Sequence, residues 1–190
     1  MRRGEIKVHG MRPVLRIKID RNGRIARYKV QLVVQGFTMQ QGVDYDMSFA
    51  PCPQMQSIRL IIAMAVHNKW IVKHGDVPNV YLNGQSQKLF LVRLPPYWKD
   101  FIGDSIGKAG DPVICIKSLY GSLDAGCNWN NCQHEIFMKN GYSQCTKEPC
   151  IYFKRSDCRI AIFTIWVDDN LIMGSYQMEI DRMTRELKRV

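Results

Sequence analysis

"FTIWVDDNLIMGS", residues 163–175, decides how the rest of the chain is read. Two apolar runs, "RIAIFTIWV" and "NLIMGS", have the composition of paired strands, with Asp168 and Asp169 between them. If they form a hairpin, the two aspartates occupy its tip. Successive strand side chains point to opposite faces, so only one of the pair sits squarely on a given face. A double aspartate at a turn is common in polar turns. Two-metal phosphoryl transfer needs hard oxygen ligands from more than one backbone segment, converging on ions roughly 3.5–4 Å apart. The candidate second source is Asp76, at the end of the apolar run "WIVKHGD", 92 residues before Asp168 (168 − 76).

Outward from that stretch, strands and helices intermix. "VLRIKIDRNGRIARYKVQLVVQGF", residues 14–37, predicts two strands around the tight-turn dipeptide Asn22-Gly23. "SIRLIIAMAVHNKW" has helical period, with Ile58, Ile61, Ile62, Ala65 and Val66 on one face and Ser57 as its N-cap. A short strand follows and breaks at Pro78, because proline cannot donate to a ladder. "KLFLVRLPP", "PVICIKSLYG" and "CIYFKR" read as further strands, "NWNNCQHEIFMKNG" and "QMEIDRMTRELKRV" as helices. The fold class is therefore mixed α and β.

The 190 residues are 46% hydrophobic, enough for one sizeable core. No apolar run of 18 residues occurs, so no transmembrane helix is expected. The opening "MRRGEIKVHGMRP" is basic and lacks an apolar signal core, which predicts a chain that is not secreted. Seven cysteines, an odd number without a dense framework, point to free thiols in a reducing compartment, cytoplasm or nucleus. The net charge of +10 suits a polyanion. The basic residues are spread along the chain and no basic amphipathic helix stands out, which favours nucleic acid over a membrane surface.

Five blocks, in order, resemble the reverse transcriptase of copia-type LTR retrotransposons. "RYKVQLVVQGFTMQQGVDYDMSFAP" is similar to that family's finger segment, with its Tyr-Lys-Ala-Arg-Leu-Val-Ala-Lys-Gly-Phe pattern, and "SIRLIIAMAV" to the helix that follows. "GDVPNVYLNG" resembles Asp-Val-Lys-Asn-Ala-Phe-Leu-Asn-Gly. "SLYGSLDAGCNW" resembles Ser-Leu-Tyr-Gly-Leu-Lys-Gln-Ala-Pro-Arg-Ala-Trp, and "WVDDNLIMG" resembles Tyr-Val-Asp-Asp-Met-Leu-Ile-Xaa-Gly.

The resemblance implies an α+β right-hand polymerase fold: fingers plus palm, mostly antiparallel sheet with packed helices, over residues 14–190. Residues 1–13 form a basic segment with no assigned role, and the chain stops before the thumb and RNase H regions, which another chain would then supply. The implied activity is RNA-directed DNA polymerisation, a two-metal nucleotidyl transfer from dNTPs to a primer 3′-hydroxyl on an RNA or DNA template. Asp76, Asp168 and Asp169 would hold Mg²⁺, with Mn²⁺ as a substitute. Lys29 and Tyr81 would bind the nucleotide, Tyr81 by blocking a ribose 2′-hydroxyl. From pattern alone, Tyr81 reads equally well as a core aromatic on a half-buried strand.

Departures from the family pattern predict an impaired enzyme. Gln31 and Gln35 stand where the family has Arg and Lys. Losing one charge-assisted phosphate contact costs about 1.5–3 kcal/mol. Asp124 replaces a glutamine beside the nucleotide pocket, where a carboxylate would repel a triphosphate. Pro78 replaces a lysine, and Trp166 a tyrosine, whose larger ring should perturb packing under the catalytic strand. The alternative is a non-catalytic remnant that binds nucleic acid through its basic surface. Cys127, Cys132, Cys145 and Cys150 form two C-x4-C pairs, looser than zinc knuckles, and read as buried thiols. His74, two residues before Asp76, shares its strand face but receives no role.

Overall fold

The structure is a computed structural model that describes residues 7–102 and 106–189. Residues 1–6 of the basic N-terminal segment lie outside the described residues. From Val8 onward that segment is already strand, since β1 runs Val8–Ile19. The later strands are β2 (Ile25–Val34), β3 (Ile71–Asp76), β4 (Gln85–Arg93), β5 (Pro112–Lys117), β6 (Ser143–Gln144), β7 (Ile151–Ser156), β8 (Arg159–Trp166) and β9 (Asp169–Gly174). The helices are α1 (Met55–His67), α2 (Trp98–Ile102), α3 (Ala125–Lys139) and α4 (Gln177–Lys188). The expected mixed α+β class with mainly antiparallel sheet is what forms.

Two compact units divide the chain, residues 7–48 with 85–128 and residues 49–84 with 129–189. The first holds a four-stranded sheet in the order β2-β1-β4-β5, antiparallel except for the β1–β4 pair. Its core gathers Val34, Met39, Phe90 and Val92. The β1–β2 connection differs from the predicted tight turn. Asp20 accepts backbone N–H bonds from Asn22 (2.8 Å) and Arg24 (2.9 Å), closing a longer loop in which Gly23 alone takes a positive φ of 76°. The aspartate side chain, not an Asn-Gly pair, organises the reversal.

The second unit is a five-stranded antiparallel sheet, β3-β9-β8-β7-β6. β8 is central and buried on both faces, which is why it reads as an unbroken apolar run. Ala161, Phe163 and Ile165 pack with Trp129, Phe137, Ile180 and Met183, beneath α3 and α4. Ile162 joins Met173, Ile61 and Ala65 on the α1 side. α1 buries less than its periodicity predicts: Ile61 and Ala65 are buried, whereas Ile62 and Val66 are exposed. Nor does Ser57 cap it, because the helix begins two residues earlier at Met55, and Gln54 at the cap donates its N–H to Glu148 Oε2 at 2.9 Å.

α4 is fixed by a nearly buried carboxylate. Glu179 accepts from Arg182 through Nε (2.9 Å) and Nη2 (2.7 Å), and from Lys154 Nζ (3.0 Å). These bonds, Arg182 first, hold its carboxyl below the usual glutamate range. A depressed folded-state value means the stabilisation is complete above the ordinary glutamate pKa and drains as pH falls through the folded value. The unfolding free energy from urea titration should therefore fall below about pH 4.5 by about 1.5–3 kcal/mol more than in a Glu179→Gln variant, whose profile is flatter there. Parallel profiles would show that Glu179 contributes no acid sensitivity.

Candidate active site

The strand register builds the site. β3 and β9 pair antiparallel with Asp76 opposite Asp169, and β8 places Trp166 on the other side of Asp169. Only Val167 and Asp168 lie between β8 and β9, so the predicted hairpin forms with Asp168 in its turn, while Asp169 is already the first residue of β9, paired with Trp166, and not part of the tip. The Val77 N–H donates to the Asp168 carbonyl at 3.0 Å and ties the end of β3 to that turn. Val167 has φ of 55°, an unfavourable left-handed value for a β-branched residue. Its carbonyl accepts the indole Nε1–H of buried Trp129 at 2.6 Å. The tryptophan also anchors the turn, a contact for which helix periodicity gives no signal.

All three carboxylates are exposed, and among the described residues none pairs with lysine or arginine. Asp76 and Asp169 are direct cross-strand neighbours, an arrangement that like charges destabilise. His74 relieves part of it. With its proton on Nε2, the ring donates to Asp169 Oδ1 at 3.0 Å, the diagonal contact that its register opposite Leu171 allows. The strand spacing with Asp76 was visible in the sequence, but the partner on β9 was not. Among the described residues no three His, Cys, Asp or Glu side chains converge as a preformed metal cage. Mg²⁺ is commonly held by one or two carboxylates together with waters and substrate phosphates, and the all-oxygen donor set of Asp76 and Asp168 fits that chemistry.

Other predicted positions fall as follows. Tyr81 lies in the 3-10 turn Val80–Leu82 rather than on a strand, because β3 ends at Asp76, before Pro78, and Asn79 adopts a left-handed φ of 55°. It is half-buried against the core around Val77 and Val80, and burial, then the Asp168 charge, raises its hydroxyl pKa. Tyr81 and the carboxylates belong to the second unit, and Lys29, half-buried on β2 opposite Arg16, to the first. Asp124 is not presented to a ligand: it is fully buried, accepting from Asn128 Nδ2 at 2.7 Å and Ser86 Oγ at 3.2 Å. The family's alanine is Asn128 here, which supplies the amide that draws the carboxylate inward. Trp166 is 51% exposed at the end of β8, so its larger ring is not packed beneath the strand as expected. Asn170, at the family's methionine position, is buried and sends Nδ2 toward the Asp168 carbonyl at a long 3.4 Å.

No disulfide joins any of the seven cysteines, all of which lie among the described residues. Burial pushes Cys150 up to about 12 and Cys115 up to about 11, which makes both poor nucleophiles and poor metal ligands at neutral pH. No described helix is long and apolar enough to cross a membrane.

The profile of the family described as "Reverse transcriptase (RNA-dependent DNA polymerase)" matches residues 3–190. The retrovirus-related Pol polyprotein from transposon TNT 1-94 of Nicotiana tabacum is 32% identical over 178 residues, covering 93% of this chain. That from transposon RE1 of Arabidopsis thaliana is 26% identical over 172 residues, covering 90%. The chain spans only 13% and 11% of those two relatives. No solved structure matches it. This chain thus belongs to the reverse transcriptase family, in the form carried by the Pol polyproteins of copia-type plant retrotransposons.

Proposed function

We propose that this domain is the catalytic centre of an RNA-directed DNA polymerase, with the second unit as palm and the first as fingers, and that its activity is impaired. The observation that carries the reading is the register setting Asp76 opposite Asp169, with Asp168 in the adjoining turn. Asp76 and Asp168, completed by Asp169, would hold Mg²⁺ or Mn²⁺. Bound ions there supply positive charge that activates the primer 3′-hydroxyl and neutralises the triphosphate. Lys29 contributes charge toward the incoming dNTP, and Tyr81 stands against the sugar to exclude a 2′-hydroxyl. The template-primer is RNA or DNA, and thumb and RNase H functions come from outside these 190 residues. Impairment follows from Gln31 and Gln35, which offer no charge to phosphate, and from His74, which competes for Asp169.

Primer extension on an RNA template with Mg²⁺ or Mn²⁺ tests the reading. The expected result is weak extension by a few nucleotides, lost in Asp168→Ala. Robust synthesis would sink the impairment, and extension unchanged in Asp168→Ala would sink the site.

A second reading, a non-catalytic nucleic-acid-binding remnant, is favoured by one feature. Arg16 faces Lys29 and Lys18 faces Arg27 across β1 and β2, and these four cations make no ion pair among the described residues. Four phosphate contacts on a single strand give a slope of log K against log salt of about −2.8 (0.7 × 4). That slope without any extension would favour the remnant.

A further inference from the structure

The β1–β2 hairpin has two faces of opposite chemistry, and the cations occupy only one. Directly opposed residues of an antiparallel pair share a face. The register sets Leu15 against Val30 and Ile17 against Tyr28 and, past a bulge at Ala26, Ile19 against Ile25, three apolar rows on the face away from Arg16, Lys18, Arg27 and Lys29. All six are exposed, from 46% at Val30 to 72% at Tyr28. Along β1 the same face continues from Met11, which packs on the first unit's core, so the apolar surface extends outward from that core without a polar break.

We propose that this face docks on the same face of a second copy of the chain, two hairpins stacking about a two-fold axis. The three rows carry no charge and only the Tyr28 hydroxyl as a polar group, so the partner surface must be apolar, and a nucleic acid is directed to the opposite face. The charge layout favours a like copy. Stacked sheets lie about 10 Å apart, and the two-fold leaves both cation grids on the outer sides, where they do not oppose each other across the contact. On an anionic bilayer the same orientation would turn the cations away from the headgroups and forfeit their attraction. Six half- to three-quarter-exposed side chains at roughly 100 Å² each give about 600 Å² per copy. Some 1,200 Å² in total is the lower bound of a specific interface, which fits a micromolar dimer. The proposal is independent of whether the carboxylates are catalytic.

Sedimentation equilibrium of the full chain, free of nucleic acid in moderate salt, tests it. A reversible dimer is expected in the range of about 1–100 μM. Ile17→Lys and, separately, Tyr28→Ser should each weaken it at least about tenfold with an unchanged far-ultraviolet spectrum, since both side chains are exposed in the monomer. Arg16→Gln with Lys18→Gln, on the other face, should leave the dimer in place while lowering the salt slope of nucleic-acid binding. A monomer at about 100 μM, or a dimer indifferent to Ile17→Lys and Tyr28→Ser, would overturn the proposal. So would binding to phosphatidylserine vesicles that Ile17→Lys abolishes, which would assign the face to lipid.

Discussion

Gly121→Ala is expected to destabilise the first unit by about 2–5 kcal/mol, enough to unfold a marginal domain. Two glycines, 85 positions apart (121 − 36), let two chain segments touch backbone to backbone. The Val34 N–H donates to the Tyr120 carbonyl at 2.8 Å. A Cβ on Gly36 would lie 2.0 Å from the Gly121 carbonyl oxygen. One on Gly121 would lie 2.3 Å from the Val34 oxygen and 2.6 Å from Val33 Cγ1. Backbone atoms cannot swing aside as a side-chain tip can. To the overpacking cost of about 1–3 kcal/mol is added about 1–2 kcal/mol for a left-handed alanine, since Gly121 has φ of 87°. Gly23→Ala isolates the second part. Its φ of 76° is similar, but no atom lies within 4 Å of the added Cβ, so its cost should be only about 1–2 kcal/mol. Urea unfolding of both variants checks the comparison, and equal midpoints would show that the close approach is relaxed at little cost.

That contact also gives physical content to two of the sequence blocks. "VVQGF" and "SLYG" are far apart in the chain, and their resemblance to the family gave no reason for either glycine. The structure supplies one: the two segments form a backbone contact that only glycine permits at both positions. The central strands of the second unit were legible for a different reason. β8 and β9 are apolar on consecutive residues because both of their faces are covered, and the polar interruption between them fits nothing but a turn.

What stayed hidden depended on tertiary partners. Helical period placed Ile62 and Val66 on the same arc as Ile61, but period reports composition around a helix and not how much of that arc a sheet covers. Asp124 looked like a charge facing a ligand because substitution by type carries no information about direction. Only its bonds to Asn128 and Ser86 show that it turned inward. His74 was visible as a strand neighbour of Asp76, yet its contact needed the β3–β9 register, which sets Asp169 on its diagonal.

Trp129→Phe is expected to cost about 1–3 kcal/mol of stability and to weaken Mn²⁺ binding about ten- to a hundredfold. Phenylalanine keeps most of the ring's packing in the core around Phe163 and Ile165 but removes the indole N–H that reaches the Val167 carbonyl. That carbonyl belongs to a residue held at a φ a valine disfavours by about 1–2 kcal/mol, so the turn keeps its shape only while its surroundings insist on it. With the indole bond gone, the strain is opposed by the Val77–Asp168 backbone bond and by the partial packing of Val167 itself. Relaxation at Val167 rotates the peptide that leads directly into Asp168, and through it Asp169, so the carboxylates lose their register with Asp76. Titration of free Mn²⁺ by electron paramagnetic resonance, beside urea midpoints for the same samples, separates the two consequences. A lower midpoint with unchanged Mn²⁺ affinity would reduce Trp129 to a core residue. A loss of affinity in Trp129→Phe that matches the loss in Asp168→Asn would place the indole among the groups that set the geometry of the metal-binding turn.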